Sequence, residues 1–104
     1  SGAIKYDKGK PGAYQGLVNN FPRALNSVAE VSTFGASKYS HWNGWKDVDD
    51  GFNRYRNALF RHSFAFSKGE TIDPDSKLLH LAHEAWNSLA SLELYLRDNE
   101  KEVG

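Results

Sequence analysis

Apolar positions along this chain recur at intervals of three and four residues, and no stretch alternates residue by residue, so the pattern predicts helices and no strands. The first helix opens at Phe21-Pro22, with proline at the first helical position, where its missing N–H costs nothing. Leu25, Val28, Ala29 and Ser32 carry the spacing to about Phe34, and Gly35 is expected to stop or loosen the helix. A second helix begins near Asp47 to Asp50, whose carboxylates suit a helix N-terminus. Phe52, Tyr55, Leu59, His62 and Phe66 follow at spacings of 3, 4, 3 and 4, one continuous stripe. Phe60 and Phe64 sit off that stripe, which points to a second contact surface such as a dimer interface.

Gly69 to Asp75 reads as a turn broken by Pro74, and the third helix starts with Asp75 or Ser76 as its N-cap. Its Leu78, Ala82, Ala85, Leu89, Leu92 and Leu96 make a clean apolar face, widened by Leu79, Leu81 and Trp86. Residues 1–20, with four of the nine glycines, form an irregular arm; Ser37 to Lys46 is a loop dense in aromatics; Arg97 to Gly104 is a charged tail. The expected fold is all-α, a small bundle of about three main helices making one domain over residues 1–104.

Composition narrows the function classes. With 39% hydrophobic and 13% aromatic residues the chain can build a core and is not disordered. Thirteen basic and thirteen acidic side chains cancel, which argues against general nucleic-acid binding but leaves room for a local basic pocket taking one phosphorylated small molecule. There are no cysteines, so disulfides, thiolate metal sites and a cysteine nucleophile are excluded, as fits a cytoplasmic protein. No run approaches the ~20 apolar residues of a membrane span, and no signal-peptide pattern opens the chain. Ser1-Gly2, in a chain without methionine, reads as a scar of tag removal.

Chemistry concentrates in residues 61–87, which hold three of the four histidines and four carboxylates. Such groups are costly to desolvate and persist where they bind a metal, move protons or pair with one another. On a wheel of about 100° per residue, His80, His83, Glu84, Asn87 and Ser91 share one sector of the third helix, opposite the leucines. Two readings of that sector stand: a solvated polar face, or one wall of a site to which Arg61, His62, Glu70, Asp73 and Asp75 add. His62 is either a buried, hydrogen-bonded imidazole or a group that orients a carboxylate or transfers a proton. Arg54 and Arg61, seven apart on one helix, are solvated arginines or a guanidinium clamp for phosphate. Trp42 and Trp45 either seal the core or stack on a base. Oxygen ligands favour Mg²⁺ or Mn²⁺, and the zinc pattern His-Glu-x-x-His is absent.

Several blocks of the chain carry a family resemblance. They are Lys-Tyr-Asp-Lys-Gly-Lys-Pro (5–11), Ala-Leu-x-x-Val-Ala-Glu-Val-x-x-Phe-Gly-Ala-x-Lys-Tyr (24–39), and Trp42. Arg-His-x-x-Ala (61–65), Gly-Glu-x-x-Asp-x-Asp-Ser (69–76), His-Leu-Ala-His (80–83) and Asn87 follow in order. Together these resemble the N-terminal domain of the mostly phage-encoded dATP/dGTP diphosphohydrolases. The resemblance implies a MazG-like, oligomeric all-α fold that hydrolyses purine deoxynucleoside triphosphates to monophosphate and diphosphate in the cytoplasm of a phage-infected bacterium. It departs from the MazG pattern in one respect: the Glu-Glu-x-x-Glu helix is replaced by the single Glu30.

On these combined grounds Glu30, Glu70, Asp73 and Asp75 are expected to hold Mg²⁺ or Mn²⁺. His62, His80 and His83 are expected to act on the attacking water, with His80 and His83 as further ligand candidates. Lys10, Lys38 and Arg61 are expected to hold phosphates, and Tyr39 and Trp42 to face the base. The expected partners are a nucleotide and further copies of the chain. The alternative function is a phage protein that captures a nucleotide or nucleotide-derived signal without cleaving it.

Overall fold

The computed structural model describes residues 2–100. Three helices make the architecture: α1 (Pro22–Tyr39), α2 (Gly51–Ser67) and α3 (His80–Asp98). A π-helical turn, Tyr14–Val18, lies in the arm, and a 3₁₀ turn, Gly44–Asp47, leads from α1 toward α2. Among the described residues the one departure from helix and loop is an isolated bridge between Ile72 and Leu79. The protein is all-α, as the periodicity predicts. Among the same residues no helix is long and apolar enough to cross a membrane.

Boundaries moved where local bonding outweighed sequence punctuation. Pro22 stands at the start of α1 as expected, but the helix passes through Gly35 and ends at Tyr39, where Ser40 turns left-handed at φ 68°. A single helical glycine costs only about 1 kcal/mol, so it does not terminate a helix that neighbours hold in place. The start of α3 is His80, later than Asp75 or Ser76. The preceding loop closes on its own backbone: Asp73 N–H donates to the Leu78 carbonyl at 2.8 Å and His80 N–H to that of Thr71 at 3.1 Å. At the other end α3 runs on to Asp98, so Arg97 is helical and its Nη1 donates to the Lys46 carbonyl at 3.1 Å. Ser1 and the tail residues 101–104 lie outside the described residues.

The largest correction concerns which side of α3 is covered. An amphipathic helix normally turns its apolar face inward. Here the histidine sector is inside: His80, His83, Asn87 and Ser91 are buried together with Ala90 and Leu94. The leucine face points outward, with Leu89 and Leu92 52% and 53% exposed. This inversion is stable because the buried polar groups satisfy one another. Asn87 Nδ2 donates to the His83 carbonyl and Ser91 Oγ to the Asn87 carbonyl, each at 2.8 Å. Among the described residues no buried side-chain nitrogen or oxygen lacks a partner, which removes the usual penalty for desolvating such groups.

α3 packs chiefly on α2 and more lightly on α1. Where the first two meet, Gly51 is buried against Leu94; a Cβ there would stand 3.0 Å from Leu94 Cδ1. Beside this contact Trp45, Tyr55 and Trp86 meet edge to face, their ring centroids 5.4–5.9 Å apart. Tyr55 Oη donates to the Trp45 carbonyl at 2.6 Å and ties the 3₁₀ turn to α2. Trp45 therefore belongs to the core. The stripe expected on α2 is covered at Tyr55, Leu59 and His62, whereas its end members Phe52 and Phe66 are exposed, as are Phe60 and Phe64. The covered apolar core is small. The radius of gyration is 16.6 Å, against about 13 Å for a compact chain of this length.

Candidate functional site

α2, the 69–79 loop and α3 each deliver part of one cluster. His62 comes from the last turns of α2, Asp73 from the loop, and His80 and His83 from the first turn of α3. Their spacing follows from the loop's closure, since the His80 N–H bond to Thr71 sets where α3 begins. Ser76 anchors the loop side: its N–H and Oγ–H both donate to Asp73 Oδ2, at 3.0 and 2.8 Å.

These bonds determine proton positions. Burial pushes the Asp73 carboxyl upward, but the two Ser76 bonds and the nearby His83 and His62 outweigh it, and its pKa lies below the ordinary value. An ionised carboxylate only accepts, so the Ser76 hydroxyl proton points to Asp73. His83 Nε2, 2.7 Å from Ser76 Oγ, must then carry a hydrogen and donate. Its Nδ1 keeps the lone pair. His80 Nε2 donates to Glu70 Oε1 at 2.7 Å, and His80 Nδ1 faces His62 Nδ1, 2.8 Å away.

Both cavity-side histidines are held neutral. His62 is pushed down to about 4, mainly by burial and then by His83, with smaller repulsion from His80 and Arg61 and partial relief from Asp73. His83 is lowered by burial as well, despite the attraction of Asp73. Neutral imidazoles are competent as bases and as metal ligands at physiological pH. Among the described residues His62, Asp73 and His80 form a group that can hold a metal ion, with one ligand atom from each lying within 4.8 Å of the others.

The cluster opens into a cavity of about 640 Å³ between the three helices, within the roughly 300–1,000 Å³ typical of small-molecule sites. Lys38, Arg54 and Arg61 bring positive charge to its wall, and Asp73 and Asp75 bring the carboxylates. Phe34, Tyr39, Tyr55 and Trp86 supply aromatic surface. The charges are distributed along it: Lys38 and Asp75 act on His83, whereas Arg54 and Tyr39 act on Tyr55.

The expected site residues therefore divide. His62, His83, Asp73, Asp75, Lys38, Arg61 and Tyr39 line the cavity; His80 and Glu70 stand behind His62. Three do not join them. Glu30 is exposed on α1, Lys10 is exposed on the arm and Trp42 is 63% exposed, and none of them lines the cavity. Trp86, assigned by its spacing to the leucine face, is the tryptophan that lines it instead. Phe34 was read only as the end of a helical pattern and Ser76 only as a helix cap; the turn residues Asp73 to Ser76 were the signal for the bonds that Ser76 makes to Asp73.

The sequence model of the family described as dATP/dGTP diphosphohydrolase, N-terminal, matches residues 2–103, and the chain belongs to that family. No curated protein and no solved structure matches the chain.

Proposed function

We propose that this protein hydrolyses dATP or dGTP to the nucleoside monophosphate and diphosphate in the cavity between α1, α2 and α3. The observation that carries this reading is the convergence there of three cations, Lys38, Arg54 and Arg61, with the Asp73–histidine cluster, in a member of this family. In the reaction a water oxygen bonds to the α-phosphorus while the bond to the α–β bridging oxygen breaks, and diphosphate leaves. His83 Nδ1 accepts the water's proton; its ring is held by the Nε2–Ser76–Asp73 chain. Lys38, Arg54 and Arg61 oppose the charge that builds on the leaving diphosphate. Phe34, Tyr39 and Trp86 give the purine an apolar surface. A divalent ion held by His62, Asp73 and His80 would supply charge neutralisation at the phosphates.

Product analysis by chromatography, after incubation with each dNTP and a divalent ion, tests the reading. Monophosphate and diphosphate from dATP or dGTP, lost with EDTA, are expected. Intact nucleotide recovered only on denaturation would replace hydrolysis with capture. The occupant we propose for the outward leucine face of α3 is a second copy of this chain, because a core this small leaves Leu81, Leu89, Leu92 and Leu96 exposed along one helix.

A further inference from the structure

We propose that His62, Asp73 and His80 form a binding site for a first-row transition ion of the Mn²⁺, Fe²⁺, Co²⁺ or Zn²⁺ class, and that this site discriminates against Mg²⁺. Any catalytic use of the ion rests on the hydrolytic reading above; its binding does not.

The donor set comes first. Mg²⁺ is held through oxygen, by one or two carboxylates with water and phosphate, and imidazole suits the transition ions. Of the four carboxylates expected to make an oxygen site, Glu30 lies elsewhere, Glu70 is engaged by His80, and Asp75 lines the cavity outside the cluster. What converges is two imidazoles and one carboxylate, their ligand atoms within 4.8 Å of one another.

Geometry adds a second line. The Nδ1 atoms of His62 and His80 face each other at 2.8 Å. Two adjacent ligands on an octahedral ion with metal–nitrogen bonds of about 2.1 Å stand about 3 Å apart. The pair is thus already spaced for one ion. Ser76 directs both its bonds to Asp73 Oδ2, which leaves Oδ1 as the oxygen for the ion.

The supporting shell is the third. Histidines that ligate metals usually give their remote N–H to a carboxylate. Glu70 accepts from His80 Nε2 at 2.7 Å, on the far side of the ring from His62. His62 and Asp73 line the cavity whereas His80 closes it from behind, so coordination positions not taken by protein would face a ligand entering the cavity.

The test uses the full chain, stripped with EDTA and dialysed. Calorimetric titration should show one Co²⁺, Mn²⁺ or Zn²⁺ per chain, Co²⁺ should develop visible d–d absorption, and the melting temperature should rise. Mg²⁺ at the same concentration should do none of these. Glu70→Gln, a change at a half-exposed side chain, should keep the fold and weaken Co²⁺ binding roughly 10- to 100-fold; His62→Gln should abolish the Co²⁺ spectrum. Failure of the folded wild type to bind any of the three ions overturns the proposal, as does an equal response to Mg²⁺ or an unchanged spectrum in folded His62→Gln. A metal-loaded protein that leaves every dNTP intact supports the site and overturns the hydrolytic reading alone.

Discussion

The imidazole rings of His62 and His83 lie face to face, 4.3 Å between centroids and 5° from parallel. Charging His62 puts a cation against His83 in a half-buried setting, and burial with that repulsion lowers the His62 pKa; His83 is lowered by burial, with smaller repulsion from His80 and Lys38. An unfolded histidine takes its proton near pH 6.5, but folded His62 does not until about 4. Between those values the unfolded chain binds more protons, so stability present above about pH 6.5 is lost as the pH falls toward 4. Metal-free protein in EDTA should melt several degrees lower near pH 4.5 than near pH 7.5 by circular dichroism, with His62→Gln showing a smaller difference. An equal melting temperature at both values would show that His62 is not held neutral by the fold.

Among the described residues Leu94 is the largest side chain completely enclosed, and it lies over Gly51 at the α2–α3 contact, where a Cβ would meet its Cδ1 at 3.0 Å. Leu94→Ala should destabilise the protein by about 2–5 kcal/mol, read from urea unfolding. A loss under about 1 kcal/mol would mean that the site collapses without a cavity.

Cation removal separates phosphate binding from packing. Arg61→Ala should reduce kcat/KM for dATP or dGTP roughly 10- to 100-fold, the range for losing one charged hydrogen bond, while melting within a few degrees of wild type. Lys10→Ala should leave kcat/KM nearly unchanged, because Lys10 is exposed on the arm and does not line the cavity. A stronger effect at Lys10 than at Arg61 would reverse this assignment of the phosphate site.

The outward leucines predict self-association. Sedimentation should give a species heavier than the 11.7 kDa chain, and Leu92→Glu, at a position 53% exposed, should shift it toward monomer. A wild type that sediments as monomer at high micromolar concentration would refute the second copy as occupant.

Much of the fold was legible from residue spacing. Pro22 opened α1, the absence of alternation excluded sheet, and the 61–87 region held the histidine cluster. What spacing could not convey was the sense of α3. The inward-apolar rule assumes that buried polar groups go unpaired, but His80, His83, Asn87 and Ser91 each have a partner, two of them along α3 itself. Glu30 illustrates the other gap. Its spacing on α1 was compatible with a site, yet meeting Asp73 depends on how α1 crosses α3, which no local pattern encodes. Gly35 misled for a related reason, since one glycine's weak local preference yields to the helix formers on either side of it.

Gly44 sits where a methyl group would come within 2.5 Å of Tyr39 Cβ and 3.2 Å of the Tyr39 carbonyl oxygen. Tyr39 is part of the cavity wall, so the bore of the cavity is set partly from outside it, by a residue that has no side chain to contribute. A larger residue at 44 must displace either the final turn of α1 or the 3₁₀ turn carrying Trp45. Size selection among bases would thus be altered by a substitution that touches no nucleotide.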